Sequence, residues 1–245
     1  MKVTLNHSNF IVVDEFLPKE DFNHLVNFFL EENFRPVHSD KWIKAFRLSD
    51  GTPHWGDVYL SHKVAEDKQS AVYPTGRGID VFIQKLISAE NIYKDLIGEN
   101  RKKWSHFFCR PYLYSNGKGL SWHTDGRGDV EGAYVYYAHK KWHAQWGAEL
   151  LIDDSNNFEL DYPLVKMYDG TEKKLGLHMD DAIVNEAVMS KGIGYYLEAK
   201  PNRLVLLKKG ILHKICRVDP NAGDYIRASI TGFFLNREIK KGAYK

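Results

Sequence analysis

The chain is short of several things, and each shortage excludes a class. Its 245 residues include two cysteines, Cys109 and Cys216. That is too few for a disulfide framework, and the spacing is not that of a zinc site. Both are read as core thiols in a reducing compartment. No charge of one sign dominates: 34 basic residues stand against 32 acidic ones, a formal net charge of +2. No strongly basic face follows, which argues against nucleic acid as a partner. No apolar run approaches membrane-spanning length, and Met1-Lys2-Val3-Thr4 lacks the apolar core of a signal peptide. The expectation is a soluble, cytoplasmic protein with no membrane partner. No internal repeat or low-complexity segment appears.

What is present is enough for a core. Hydrophobic residues make up 43% of the chain and aromatics 13%. The length fits one domain over 1–245. Phe10-Ile11-Val12-Val13 predicts a strand, and a helix begins near Pro18 with Phe22, Leu25, Val26, Phe29 and Leu30 on one face. Residues 34–76 read as loops with one short strand around Trp55–Leu60. A second helical period runs from Gly78 to Ile97 through Ile79, Phe82, Ile83, Leu86, Ile87, Ile92 and Leu96. From Trp104 the pattern changes to strands: Trp104–Tyr114, Leu120–Asp125, Ala133–Ala138, Ala148–Ile152, Gly194–Glu198, Arg203–Leu207, His213–Val218 and Ile226–Leu235. An interruption at about 153–192 opens with the turn cluster Asp153–Asn157 and carries a short helix over Met179–Met189, and a basic tail, Arg237–Lys245, ends the chain. Two helices followed by about eight strands predict a mainly β, α+β fold. Residues 1–103 support a β core over 104–235, a jelly-roll double sheet with the helices against one side.

The stretch Leu120-Ser121-Trp122-His123-Thr124-Asp125-Gly126 offers a metal site. On a strand, side chains two apart share a face, so His123 and Asp125 present an imidazole nitrogen and a carboxylate to one cation. A second His would complete the two-His-one-carboxylate face that keeps positions open on a non-heme Fe(II) ion. The motif alone is weak, because His38-Ser39-Asp40 and His178-Met179-Asp180 share it. The first lies in a polar loop and the second inside the interruption. His213 opens a late strand and would face His123 and Asp125 across a barrel; its alternative is a structural His. Farther on, Arg227 stands in an otherwise apolar strand, with Tyr225 and Ser229 on its face. A guanidinium there needs a partner, either an acid of the fold or the carboxylate of a ligand. The second fits a 2-oxo diacid whose keto-acid end chelates iron while Arg227 and a hydroxyl hold its far carboxylate.

These residues resemble the Fe(II)/2-oxoglutarate-dependent oxygenases, in their prolyl-4-hydroxylase-like branch. Asn116-Gly117-Lys118-Gly119 before His123-x-Asp125 resembles that branch's approach to the metal. Tyr136-Tyr137-Ala138-His139-Lys140-Lys141-Trp142 with Gly147-Ala148-Glu149-Leu150 resembles its Tyr-Leu-Asn…Trp…Gly-Gly-x-Leu segment. Leu197–Leu206, Arg227-x-Ser229 and the opening Val12–Leu17 match in the same order. The resemblance covers about 10–30 and 104–235. It implies a double-stranded β-helix of cupin-like form, with Fe(II) held by His123, Asp125 and His213. It also implies 2-oxoglutarate held by Arg227, Ser229 and Tyr137, O2 as oxidant, and ascorbate as a candidate reductant. Three departures touch substrate choice. Leu120 stands where the branch often has a Tyr; Pro220-Asn221-Ala222-Gly223 lengthens the path from His213 to Arg227; and the interruption at 153–192 suits a substrate lid.

The implied reaction hydroxylates an unactivated C–H bond, with succinate and CO2 as coproducts. Desaturation or ring closure uses the same ligands. Related halogenases replace the carboxylate that Asp125 supplies. A small amino-acid-derived metabolite is the expected substrate, because a lid encloses a small ligand. A peptidyl, prolyl-type substrate is the alternative, and a non-catalytic cupin-type binding module is a third reading. Trp122, Arg127, Tyr136, Trp142 and Trp146 are candidates for the mouth, and His139 and His143 for further donors.

Overall fold

The computed structural model describes residues 1–40, 46–65, 67–125, 128–153, 164–174 and 182–236. Strands β1 (Lys2–Asn6) and β2 (Phe10–Asp14) form an antiparallel pair, and helix α1 (Lys19–Glu31) follows. The loop region carries four two-residue strands: β3 (Arg35–Pro36), β4 (His54–Trp55), β5 (Tyr59–Leu60) and β6 (Ala71–Val72). Helices α2 (Asp80–Ser88) and α3 (Glu90–Ile97) come next. Then follow β7 (His106–Tyr114), β8 (Leu120–Thr124), β9 (Val130–Tyr137) and β10 (Leu150–Asp153). Within the interruption, β11 (Leu164–Lys166) pairs with β12 (Glu172–Lys174), and α4 (Ala182–Lys191) follows. Strands β13 (Gly194–Leu197), β14 (Leu204–Lys208), β15 (Leu212–Ile215) and β16 (Arg227–Leu235) complete the order.

The major sheet runs β1-β2-β14-β9-β16-β7-β4-β3, with β5 and β6 joined at β7; the minor sheet runs β13-β10-β15-β8. This is the expected double-stranded β-helix. Strand alternation divides the major sheet's side chains between two cores. Ile11, Val13, Tyr134, Tyr136, Leu204, Leu206 and Ile230 pack toward the helices with Phe82, Ile83 and Leu86. Phe10, Val12, Val135, Tyr137, Val205 and Leu207 face the minor sheet's Leu150, Ile152 and Ile215. A sheet buried on both faces explains why these strands read as apolar runs. Gly232 on β16 permits the closest approach: a Cβ there would lie 1.8 Å from the Phe108 carbonyl oxygen and 2.4 Å from Tyr134 Oη.

Three local readings change. The period over 78–97 is two helices, because Ala89 leaves the helical region at φ −94°, ψ 12°. The Tyr93 hydroxyl then donates to the Leu86 carbonyl at 3.0 Å, satisfying a helix-end acceptor, and Tyr93 and Ile97 take the buried positions. On α1 the buried line passes through Leu25 and Phe28, while Leu30 is 83% exposed. Tyr225 and Ile226 precede β16 and are exposed, so Tyr225 does not share Arg227's inward face. The tail 237–245 lies outside the described residues, as does most of the turn cluster Asp153–Asn157.

Candidate active site

The β8–β15 ladder sets His123 directly opposite His213, with ring centroids 4.3 Å apart. The second His therefore comes from the neighbouring strand of the same sheet, not from a strand facing it. The register carries a further device. Ile215 pairs with Leu120 while His213 pairs with His123, so one extra residue is accommodated on β8. Such an irregularity re-aims side chains. Leu120 packs into the core between the sheets, and His123 still turns to the same side as His213.

Asp125, just past β8, completes the group. Its Oδ2 lies 3.2 Å from His213 Nε2 and its Oδ1 3.8 Å from His123 Nε2. One ligand atom from each of the three lies within 4.8 Å of the others. Each imidazole is oriented through its other nitrogen. His123 Nδ1–H donates to the Ser121 carbonyl at 2.8 Å, and His213 Nδ1–H to the Ile211 carbonyl at 2.9 Å. Nε2 of each ring is then the atom turned toward a cation. Burial, then the neighbouring His213, pulls His123 down to about 4. Burial raises Asp125, but the two imidazoles outweigh it and the carboxyl ends below its ordinary value. A neutral imidazole and an ionised carboxylate are the forms a metal requires. Burial also acts to lower His213, and its hydrogen bond to Asp125 reverses the sign.

On the facing sheet Arg227 is fully buried. Its Nη1 donates to Ser229 Oγ at 2.9 Å, whereas Nε and Nη2 have no hydrogen-bond partner. Among the described residues no carboxylate comes within ion-pair distance of it, so the reading of a partner acid within the fold is not met. Its guanidinium lies 4.9 Å from the Tyr137 ring centroid and 5.0 Å from that of Tyr114. Tyr137, which pairs with Ser229 across the β9–β16 ladder, is also fully buried, and its hydroxyl has no partner. A buried cation with spare donors beside an unbonded phenol is a cradle for a carboxylate. Burial raises the Tyr114 phenol, the charge of the adjacent Arg227 lowers it and that of Asp125 raises it further.

The family model of the 2OG-Fe(II) oxygenase superfamily matches residues 109–235. The chain belongs to that superfamily. The oxygenase is similar in fold to a prolyl-4-hydroxylase of Pseudomonas putida, at TM-score 0.53 and 14% identity, over 93% of each chain. It is similar to a Trichoplax adhaerens prolyl hydroxylase in complex with a hypoxia inducible factor oxygen degradation domain peptide fragment. There the TM-score is 0.55 at 14% identity, over 98% of this chain and 90% of that one. A 2OG-Fe(II) oxygenase family oxidoreductase of Burkholderia pseudomallei is similar at TM-score 0.54 and 8% identity, over 96% and 94%. No match was found among curated proteins. With the His123–Asp125–His213 triad present, the chain is a non-heme iron enzyme that takes Fe(II) and 2-oxoglutarate. That sets the binding-module reading aside.

The oxygenase's other candidates fall away from the triad. His139 is buried between the carbonyls of Ala199 (2.6 Å) and Ala228 (3.1 Å) and packs on Trp142. His143 accepts from the backbone N–H of Gln145. Trp122 points opposite to His123 along β8, with Lys214 Nζ 5.8 Å over its ring. Tyr136 faces the helices and donates to Asn202 Oδ1 at 2.8 Å. Trp142 donates to the Gly147 carbonyl, and Trp146 stacks on Tyr225 at 4.4 Å. Arg127 and His178-Met179-Asp180 lie outside the described residues. Cys109 is a core thiol beside Tyr134 Oη at 3.0 Å, whereas Cys216 is only half-buried. Burial pushes them up to about 12 and about 11.

One supporting residue escaped the sequence. Asp50 Oδ1 accepts from the Ser121 backbone N–H at 2.9 Å and from its hydroxyl, and Oδ2 accepts from the Arg47 N–H at 2.8 Å. It braces the residue whose carbonyl orients His123. Its only sequence signal was a position in the turn Ser49-Asp50-Gly51.

Proposed function

We propose that this oxygenase hydroxylates an unactivated C–H bond of a small amino-acid-like metabolite, and that Arg227, Ser229 and Tyr137 hold the far carboxylate of 2-oxoglutarate. Bound Fe(II) and 2-oxoglutarate supply the oxidant: substrate, O2 and 2-oxoglutarate become hydroxylated substrate, succinate and CO2. The chain's part is placement. His123, Asp125 and His213 occupy one side of the cation. The Arg227 fork offers Nε and Nη2 to two carboxylate oxygens, and the Tyr137 hydroxyl offers a third donor. The apolar walls between the sheets exclude water. The observation that carries the cosubstrate assignment is the pair of unbonded Arg227 donors in a fully buried side chain. The insertion at 153–192 serves as a lid over a small ligand. A peptidyl substrate is the second reading; what favours it is the likeness to a prolyl hydroxylase that carries a peptide.

The test is an anaerobic titration of the apo protein with Fe(II) and then 2-oxoglutarate, beside His123→Ala. The expected result is a visible charge-transfer band of the chelated 2-oxo acid in the wild type and none in the variant. An iron-loaded, folded wild type without the band overturns the assignment. Succinate release with free amino acids rather than with peptides supports the small-metabolite reading.

A further inference from the structure

A second arginine stands on the same wall of the major sheet. Along β7, Phe108, Arg110, Tyr112 and Tyr114 alternate with Phe107 and Cys109, which pack toward the helices. The first set therefore lines the wall that faces the minor sheet. In the β7–β16 ladder Tyr114 lies opposite Arg227, Tyr112 opposite Ser229 and Arg110 opposite Thr231. Arg110 and Arg227 thus stand on one wall, four residues apart in strand register. That is a separation of about 13 Å at strand rise.

The Arg110 guanidinium lies 4.1 Å from the centroid of the Trp55 ring, and Trp55 pairs with Tyr112 on the neighbouring strand β4. Stacking of this kind fixes the plane of the fork. Arg110 Nε is buried with no hydrogen-bond partner. Among the described residues no carboxylate lies within ion-pair distance of it. Arg110 also borders a cleft of about 560 Å³, where Arg35 is paired with Asp57 at 3.1 Å and Arg77 with Glu32 at 3.0 Å. Asp67 shares a smaller neighbouring cleft, and its carboxylate is engaged by Gln69 and Ser70. The Tyr112 phenol, raised by burial, is drawn back by the charge and hydrogen bond of Arg110 and pushed up by the charge of Asp125.

We infer that Arg110, stacked on Trp55, is the specificity residue that holds a carboxylate of the substrate, so that the substrate class is a small molecule with a free carboxylate. The inference rests on the small-metabolite reading above and narrows it. A five-carbon diacid spans about 5 Å between its carboxyl carbons, four C–C bonds of about 1.5 Å each. One molecule of 2-oxoglutarate that reaches Arg227 with its keto-acid end at the triad does not also reach Arg110. The second arginine, part-buried and with its Nε unbonded, is left for the second ligand. A residue within a peptide chain has no free α-carboxylate, so this feature favours a free acid.

The test uses the iron-loaded full chain. Succinate release is measured with the free amino acids as probes, each beside its primary carboxamide, for wild type, Arg110→Met and Arg110→Lys. The expected result is a free acid that drives release while its carboxamide does not. Arg110→Met raises the KM for that acid about 10- to 100-fold, the worth of a charge-assisted hydrogen bond, with kcat and the KM for 2-oxoglutarate changed less than about threefold. Arg110→Lys, which keeps the charge, recovers part of the loss. Equal release with acid and carboxamide, or an unchanged KM for the acid in Arg110→Met, overturns the carboxylate subsite and leaves the small-metabolite reading standing. A raised KM for 2-oxoglutarate instead assigns Arg110 to the cosubstrate and also overturns it. Release with an end-blocked peptide and with none of the free acids overturns the subsite and the small-metabolite reading together.

Discussion

Arg227 brings a full positive charge between two sheets with only Nη1 bonded, to Ser229 Oγ. A buried charge without a counter-ion is a cost to the apo fold. Its replacement by an apolar residue of similar length is often neutral or stabilising, by about 1–4 kcal/mol where buried ionic groups are replaced. Arg227→Met is therefore expected to melt at or above the wild-type temperature without ligand, and to lose the upward shift that 2-oxoglutarate gives the Mn(II)-loaded wild type. Thermal denaturation with and without 2-oxoglutarate checks both halves. A variant that melts well below wild type without ligand contradicts the assignment. At this scale the residue types were legible: an Arg in an apolar strand and a His-x-Asp on another. Asp50 was not, because what singles it out is its contact with Ser121, far away in the chain.

Among the elements, one carboxylate reinforces the β2–β14 ladder by tying β2 to the strand–turn–strand at its flank. Asp14 closes β2, and its oxygens accept from Arg203 Nε at 2.7 Å, Arg203 Nη2 at 3.2 Å and Lys200 Nζ at 2.9 Å. Burial acts to raise its pKa, and the hydrogen bonds and charge of Arg203 and Lys200 outweigh it, leaving the carboxyl well below the ordinary range. The folded value is thus below the unfolded one of about 3.9. The unfolded state binds the extra proton, so this stabilisation is full above the unfolded value and is lost as the pH falls below it. Asp14→Asn is expected to lose about 3–5 kcal/mol near neutral pH, as for a buried pair broken on one side. Its melting temperature is also expected to fall less than the wild type's between about pH 5 and pH 3. Melting curves across that range check it; parallel slopes contradict it. The elements themselves were largely legible from alternation and period. The break at Ala89 was not, because no Gly or Pro marks it and the Tyr93–Leu86 contact stabilises it.

Across the whole molecule, the metal ligands sit on or beside the minor sheet and the proposed cosubstrate donors on the major sheet. A ligand that chelates the cation at one end and meets Arg227 at the other links the two sheets, so its effect on stability is global. With Mn(II) as an unreactive stand-in, 2-oxoglutarate is expected to raise the melting temperature strongly only when the metal is present. At a concentration of 100 Kd the added stability is about 2.7 kcal/mol. Asp125→Ala is expected to remove the metal shift and the 2-oxoglutarate shift together. Full stabilisation by 2-oxoglutarate without metal contradicts a chelating mode.

The sequence by itself determined the chemistry on offer: a His and an Asp two apart on one strand, a later His, and an arginine among apolar neighbours. Those features are local, and strand period and side-chain chemistry suffice to read them. Only the tertiary structure decided how they meet. The extra residue on β8 turns Leu120 and His123 to the same side, and antiparallel register makes His213 the neighbour of His123. The β7–β16 ladder sets Arg110 and Arg227 on one wall. Register and side-chain direction depend on pairing between segments far apart in the chain, which no single segment encodes.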